Sequence, residues 1–243
     1  MTSLVQLAKE DNLPSIQNID NETLQWIEAN EPLEFKNSDT TSIASKIDIG
    51  KVLQFTPLFS WFPSQDKMDS IHGLRHLMRV TIYAIFLGSH LKAKQLNNLL
   101  VAASLHDIRR KDDKGDMGHA KRASDWYTKH KAQILDTYHL EEANGVVVKN
   151  LINLHEESYD NLKRAPFYIE NKELVDIIKT SDALDRYVQP KMKWWLNDSY
   201  LELKPNRELK AFAFNLVINS ERKYLEGTNS KQAVPLSLKQ LQS

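Results

Sequence analysis

The sequence predicts an all-α protein, and two observations support this prediction. Only 7 Gly and 8 Pro occur among 243 residues, which leaves few turns and favours long helices over many short strands. Apolar residues also recur at intervals of three and four positions over several long segments, which is the spacing of an amphipathic helix. We therefore expect a helical bundle.

Composition narrows the class of protein. Hydrophobic residues make up 41% and charged residues 26% of the chain, and 32 basic residues balance 32 acidic ones. This balance disfavours a nucleic-acid specialist. Cysteine is absent, which excludes disulfides, thiolate ligands and a cysteine nucleophile. Without a signal sequence or an apolar run near the roughly 18 residues of a membrane span, we expect a cytoplasmic protein with no membrane partner.

Helical patterns follow one another along the chain. Their predicted limits are residues 22–29, 43–53, 70–91, 94–108, 119–135, 141–158, 173–188 and 207–225. An aromatic segment over residues 55–64 contains two prolines and is predicted to pack as a loop on the core, with a lid or a partner surface as the alternative.

These patterns suggest three regions within a single compact domain. Residues 1–65 form a peripheral N-terminal segment that packs on the core, residues 66–190 form the core bundle, and residues 191–243 form a C-terminal helical extension. The chain after Gly227 is rich in polar residues and is expected to be a tail.

Histidines interrupt the apolar stripe of the 70–91 helix. His72, His76, Val80 and Tyr83 recur at spacings of four, four and three, so the two imidazoles lie on the same side as apolar residues. A histidine in such a place is usually a hydrogen-bonded core residue, so further observations are needed to interpret it.

Three further helices carry polar groups where an apolar side chain is expected. The 94–108 helix ends at His106 and Asp107, the 141–158 helix continues its stripe to His155, and the 173–188 helix places Asp182 and Asp185 after apolar residues. Each buried imidazole or carboxylate needs a partner, and one metal ion satisfies several of them together. Nitrogen and oxygen ligands without sulfur suit Mn, Fe, Co, Ni, Zn or Mg.

The order of these residues is similar to the metal signature of the HD-domain superfamily. Three blocks carry the resemblance: SIHGLRHLMRV (70–80), LHDIRRKDD with DMGHAKRAS (105–124) and SDALDR (181–186). They resemble a bacterial HD subgroup with an HG-x-x-H-x-x-RV opening and a DALDR block, over residues 68–190. The resemblance implies an all-helical core in which one divalent metal is held by His76, His106, Asp107 and Asp182.

The resemblance also implies roles for neighbouring residues. His119 and His155 extend the series and are similar to the ligands of HD proteins that hold two metals. His119 follows Asp107 by only 12 positions, so contact with substrate phosphate or acid catalysis by His119 stays open. His72 and Asp185 are expected to orient the ligands, and an ion pair between Asp185 and Arg186 is a further expectation.

The function implied is hydrolysis of a phosphoester in a small molecule or nucleotide by a metal-activated water. Asp107, His119, His155 and Arg109 are the expected catalytic residues. The residues expected to hold the anionic substrate are Arg110, Lys111, Lys179 and Arg186. Two alternatives remain: a di-iron oxygenase of the same superfamily, and a non-catalytic nucleotide sensor or interaction protein. The N-terminal segment is the expected contact surface for a second copy of the chain or for another protein.

Overall fold

The computed structural model describes residues 2–243, and within that range the chain folds entirely into helices and connecting loops, without a strand. This confirms the all-α prediction. The helices are α1 (Leu4–Lys9), α2 (Asn21–Ala29), α3 (Thr41–Ala44), α4 (Ile49–Gln54), α5 (Gln65–Asp69), α6 (Leu74–Leu87), α7 (Ala93–Leu105), α8 (His119–Thr137), α9 (Gly145–Leu154), α10 (Tyr159–Leu162), α11 (Pro166–Glu170), α12 (Lys172–Leu184), α13 (Arg207–Leu225) and α14 (Ser230–Leu241). Single 3-10 turns lie at Leu33–Phe35, Phe59–Trp61, Asp185–Val188, Met192–Trp194 and Asp198–Tyr200.

Short polar side chains define where several helices begin. Asp20 caps α2 by accepting the Thr23 amide, and Asn206 caps α13 by accepting the Leu209 amide. Asn144 accepts two amides of the first turn of α9. Each cap satisfies an amide that has no partner inside its own helix.

Helix α6 is the centre of the bundle. Every residue from Leu74 to Ile85 is buried, because α7, α12 and α14 pack around this helix. Helix α9 packs against α7 and α8. The same hydrophobic cluster extends from Leu4 in α1 to Leu238 in α14, so the terminal segments contribute side chains to the core that surrounds α6.

The bundle brings five helix ends together at one place. His76 lies in the first turn of α6 and His119 is the first residue of α8, while His106 and His155 directly follow the last residues of α7 and α9. Asp182 lies in the last turn of α12. Helix ends have main-chain groups without intrahelical partners, so this junction is polar inside an apolar bundle.

Two predicted segments differ from the structure. The 43–53 helix is divided into α3 and α4, and the expected polar tail after Gly227 is wrong because residues 230–241 form α14. Pro235 lies inside α14 and disrupts its helical sequence pattern. Burial of Ala233, Val234 and Leu238 against the bundle stabilises the helix nonetheless, which is a tertiary effect. The predicted limits of 207–225 coincide with α13.

Across residues 2–243, no helix combines the length and the apolar character that crossing a bilayer requires.

The packing of α14 on the core predicts that substitution of two of its leucines changes the free energy of unfolding by different amounts. Leu238 is fully buried and Leu236 is 47% exposed. Leu238→Ala is expected to lower the free energy of unfolding by about 2–4 kcal/mol because it leaves a cavity, and Leu236→Ala to change it by less than about 0.5 kcal/mol. Urea unfolding measures both values. Equal, small losses would contradict the packing of α14 on the core.

Candidate metal centre

Four buried histidines face one another in two pairs. The Nε2 atoms of His76 and His106 are 3.1 Å apart, and the Nε2 atoms of His119 and His155 are also 3.1 Å apart. The rings of His106 and His155 lie 4.7 Å apart, centroid to centroid, so the two pairs adjoin. All four side chains are at least 95% buried.

The other nitrogen of each ring is already committed. His76 Nδ1 lies 2.8 Å from Asp185 Oδ2. In the other three rings Nδ1 faces the main-chain carbonyl three residues upstream. These bonds join His106 to Ala103 at 2.9 Å, His119 to Asp116 at 2.7 Å, and His155 to Ile152 at 2.7 Å. A carbonyl oxygen only accepts hydrogen bonds, so Nδ1 carries the proton and a neutral ring presents a lone pair at Nε2.

This arrangement needs a cation. Two Nε2 lone pairs at 3.1 Å repel each other unless a proton or a metal ion lies between them or beside them. The local reason for the geometry in α7 and α9 is simple: the histidine after the last residue of each helix donates to one of the carbonyls that the helix end leaves free. The ring is thereby turned so that Nε2 points into the junction.

Two aspartates lie among these nitrogens. Asp182 Oδ1 is 3.4 Å from His76 Nε2 and 3.5 Å from His106 Nε2. Asp107 lies between the two histidine pairs: its Oδ1 is 3.0 Å from His119 Nε2 and 3.7 Å from His155 Nε2, and its Oδ2 is 3.8 Å from His76 Nε2. One carboxylate therefore faces both pairs.

The Asp107 carboxylate also has an unsatisfied atom. Its Oδ1 is buried and has no hydrogen-bond donor among the described residues while His119 and His155 are neutral, because the Nε2 atoms that face it then carry no hydrogen. A buried carboxylate oxygen without a donor is costly unless a cation neutralises it. Buried His and Asp ligand atoms lie close enough to hold a metal ion, for example those of His76, His106 and Asp182, and the donor set fits a divalent cation.

The pKa shifts of the metal-free site reflect the same need for positive charge. Burial raises the pKa of Asp107, but Arg110 and His119 oppose it and hold this pKa well below its ordinary value. Burial lowers the pKa of His106 and of His119, but Asp107 and Asp182 together raise the pKa of His106 above the ordinary value, and Asp107 raises that of His119. Burial lowers the pKa of His155. The carboxylates thus favour positive charge on His106 and His119, which is the charge that a metal ion would otherwise supply.

His72 lies at the edge of this cluster. Its Nδ1 is 3.3 Å from Asp107 Oδ2, and Gln189 Nε2 donates to its Nε2 at 3.3 Å. Burial and the Arg110 charge lower the pKa of His72 to about 3, so this ring is neutral. The expected orienting position of His72 beside Asp107 agrees with its location in the structure.

A buried ion network holds His76 in place, and the sequence interpretation missed it. Arg79 donates to both oxygens of Asp185, at 2.6 and 2.9 Å, and to Glu221 at 2.5 Å. Arg75 donates to Glu221 at 2.9 Å. All four charged side chains are less than 2% exposed. Arg79 follows His76 by one helical turn, and two arginines inside an apolar helix were the signal that such a network exists.

The ion pair expected between Asp185 and Arg186 does not form in the structure. The pair between Asp185 and Arg186 is wrong, because Arg79 and His76 occupy both carboxylate oxygens. Arg186 is exposed and lies on the wall of the neighbouring cavity. Asp185 does fix the orientation of the His76 ring, since it accepts the Nδ1 hydrogen of His76.

Two expected substrate-binding residues lie at the site. Arg110 Nη1 donates to Asp107 Oδ2 at 2.9 Å and is 3.4 Å from His119 Nε2. Lys179 donates to the carbonyls of His155 at 2.9 Å and Glu157 at 2.5 Å, so it anchors the turn after α9. Burial lowers the pKa of Lys179.

Arg109 and Lys111 occupy other places than expected. Arg109 Nη1 donates to the Trp61 carbonyl at 2.9 Å, and its guanidinium lies 5.4 Å from the Trp126 ring centroid. The Arg109 side chain thus joins the aromatic segment to α8 and is not part of the cavity wall, so this geometry does not support the catalytic role expected for it. Lys111 is exposed and also lies off the cavity wall, so its expected contact with substrate gains no support.

A cavity of about 1040 Å³ opens onto the ligand cluster. Its wall includes residues from outside the 66–190 core, which sequence patterns did not indicate. From the N-terminal segment these are Asp11, Leu13 and Gln17, and from the C-terminal extension they include Lys191, Trp194 and Tyr200. Glu156, which follows His155, also lines the cavity and places Oε2 3.2 Å from His119 Nδ1. In the sequence, only its position next to His155 indicates that Glu156 lies at the site.

Comparisons of the chain with protein-family models, with curated proteins and with solved structures give no match. The functional argument therefore rests on the geometry of the site and on the three sequence blocks.

The buried network predicts that Asp185 affects both stability and metal binding. Asp185→Asn leaves Arg79 without a full counter-charge, so we expect a loss of about 3–5 kcal/mol in the free energy of unfolding. We also expect metal affinity to fall about 10–100-fold, because His76 loses its orienting partner. Urea unfolding and calorimetric metal titration measure the two effects. Asp198→Asn, at a half-exposed pair with Lys210, is the control, with less than about 1 kcal/mol expected.

Metal binding is predicted to displace protons from His106 and His119. Because the pKa of each is raised in the folded protein, both bind protons more tightly than a free imidazole of pKa about 6.5. Their stabilising contribution is complete below that pH and is lost as pH rises through the raised values. Metal affinity should therefore increase from pH 6 to pH 8. Calorimetry in buffers of different ionisation enthalpy measures the protons released, and an enthalpy independent of the buffer would contradict this prediction.

Proposed function

We propose that this protein is a metal-dependent phosphohydrolase of the HD-domain type that hydrolyses a phosphoester of a small molecule or nucleotide. The observation that carries the proposal is the position of Asp107 between two pairs of histidines whose Nε2 atoms face one another at 3.1 Å. The order and spacing of the sequence blocks, which resemble those of the HD superfamily, support the same assignment.

The residues divide into two ligand groups around Asp107. His76, His106, Asp107 and Asp182 would hold a first divalent ion. Asp107 with His119 and His155 would hold a second, and the 3.0 and 3.7 Å separations of their ligand atoms favour this. A bound divalent ion lowers the pKa of its water and polarises a phosphoryl oxygen.

The chain supplies the remaining chemistry from the cavity wall. Asp182 is 22% exposed at its side chain and offers a carboxylate for a proton from the attacking water. Arg110 directs positive charge toward the space beside Asp107, where phosphoryl oxygens would be stabilised. If only one ion binds, His119 keeps its proton, the Asp116 carbonyl holds Nδ1–H, and Nε2–H is available to protonate the leaving oxygen.

A di-iron oxygenase is the second candidate function. The same pairing of His119 with His155 favours it, because such chemistry needs two adjacent metal ions with nitrogen and carboxylate ligands. The metal content of protein purified without chelator separates the candidates. One or two Mn, Ni or Zn ions support the hydrolase, and two irons support the oxygenase. A protein without metal would support a sensor or interaction role.

Substitution of the central ligands tests the proposed activity. His106→Ala and Asp107→Ala are expected to lower metal content and to reduce phosphate release by about 100-fold or more, since the metal-activated water is lost. A panel of phosphoesters assayed with Mn or Ni measures the rate. His90→Ala, at an exposed histidine paired with Glu173, is the matched control and should keep full metal content and rate. Undiminished phosphate release by both ligand variants would refute the assignment of the site.

A further inference from the structure

Residues 186–195 form a basic part of the cavity wall. This segment contains Arg186, Lys191 and Lys193 and no acidic residue, and all three cations line the cavity. We call these three residues the basic wall. Arg186 and Lys193 are exposed, and Lys191 is half-buried. A ligand in the cavity therefore has open access to at least two positively charged groups.

Only one carboxylate pairs with the basic wall. Asp11 forms an ion pair with Lys191, whereas Arg186 and Lys193 have no ion-pair partner among residues 2–243. Lys191 lowers the pKa of Asp11, and the Lys193 charge adds to this effect. The single negative charge of Asp11 thus already faces two lysines, and the basic wall keeps an excess of positive charge.

Two tryptophans hold the basic wall in position. Trp195 is 7% exposed, packs on α13 and donates from Nε1 to the Gln189 carbonyl at 2.9 Å. The Nζ atoms of Lys191 and Lys193 lie 5.0 and 5.9 Å from the ring centroid of Trp194. An indole ring attracts ammonium groups at such distances. The cations are therefore placed before any ligand binds.

The basic wall starts beside the candidate metal centre. Arg186 follows Asp182 by four positions, which is one helical turn, and Gln189 donates to His72 Nε2 at 3.3 Å. The two lysines come two and four positions after Gln189 and line the same cavity of about 1040 Å³. One ligand in this cavity can thus contact the metal centre and the basic wall together.

A substrate with a single phosphoryl group leaves this charge unused. The metal centre and Arg110 already provide positive charge for the reacting phosphoryl group, so the basic wall exceeds what a monophosphate requires. Cations on the wall of a cleft concentrate their field inside it and favour anionic ligands. Arginine and lysine bind phosphoryl oxygens through charge-assisted hydrogen bonds, and the arginine fork does so with two parallel bonds.

We propose that the basic wall binds a second phosphoryl group of the substrate, so that the substrate class is a bisphosphorylated small molecule. This inference rests on the proposed phosphohydrolase function and extends it to the substrate class. The metal centre takes the phosphoester that is hydrolysed, and Arg186 and Lys193 hold the other phosphoryl group. The two lysines lie outside residues 68–190, so the resemblance of the sequence blocks does not cover this role.

Three phosphonates of similar length test the proposal, because their carbon–phosphorus bonds resist hydrolysis. Hexylphosphonate has one anionic end, hexane-1,6-bisphosphonate has two phosphonate ends, and 6-phosphonohexanoate has a carboxylate at its second end. Calorimetric titration of the manganese-loaded protein at low salt, with the manganese binding of each ligand alone subtracted, measures the affinities. The bisphosphonate is expected to bind about tenfold more tightly than hexylphosphonate, and the carboxylate ligand within about threefold of hexylphosphonate.

Substitution of the two unpaired cations separates the basic wall from the rest of the site. Lys193→Met should reduce the preference for the bisphosphonate about threefold, and the double variant Arg186→Met with Lys193→Met should abolish it. Lys129→Met is the matched control, because Lys129 is an exposed lysine that is not part of the cavity wall. Its preference should equal that of the wild type. Added salt should weaken the wild-type preference, since exposed charges are screened.

Several results would contradict the proposal. Equal binding of hexylphosphonate and the bisphosphonate by the wild type, no binding of either, or a preference retained by the double variant would each overturn it. Binding of 6-phosphonohexanoate as tight as that of the bisphosphonate would overturn the assignment to a phosphoryl group.

The proposed hydrolysis is judged by other observations, because the titrations need no turnover. Absence of phosphate release with a retained preference for the bisphosphonate would identify a binding site without catalysis. Phosphate release without that preference would remove only the role of the basic wall.

Discussion

The structure depends on one electrostatic constraint: four imidazole nitrogens with free lone pairs and two carboxylates share a junction from which the bundle excludes most water. Each ring is oriented by a bond at Nδ1, so the Nε2 atoms cannot turn away from one another. Only a positive charge makes the arrangement favourable. In the metal-free protein the carboxylates favour protons on His106 and His119, and a divalent ion would supply the charge with better geometry. The low pKa of Asp107 and the raised pKa values of His106 and His119 are consequences of this requirement.

The surrounding fold supports this junction from distant parts of the chain. The buried chain of charges from His76 through Asp185 and Arg79 to Glu221 connects a ligand to α13. The N-terminal segment closes another side through the contacts of Asp113 with residues 15–17. Segments that appear peripheral in the sequence therefore fix the positions of candidate ligands and shape the cavity beside them.

Much of the helical fold could be predicted because helices are local structures. The apolar periodicity of α13 predicted both of its ends, and the stripes of α6, α7, α9 and α12 placed the histidines and aspartates on inward faces. Helix α14 escaped prediction because its stability comes from packing against α13 and α6 rather than from the helix-forming tendency of its own residues. The positions of Arg109 and Lys111 away from the cavity wall could not be predicted for a related reason: neighbours in sequence point in different directions after a helix ends, and spacing does not tell which side chain enters a cavity.

The sequence by itself determined the helical class and the set of inward-facing histidines and aspartates, because helical periodicity is set by residues three and four apart. Only the tertiary structure decided that Asp107 lies between two histidine pairs, that Arg79 rather than Arg186 holds Asp185, and that Lys193 lies on the cavity wall. The physical reason is that these relations join residues far apart in the chain. Their distances depend on how the helices cross and pack, and no local pattern records those distances.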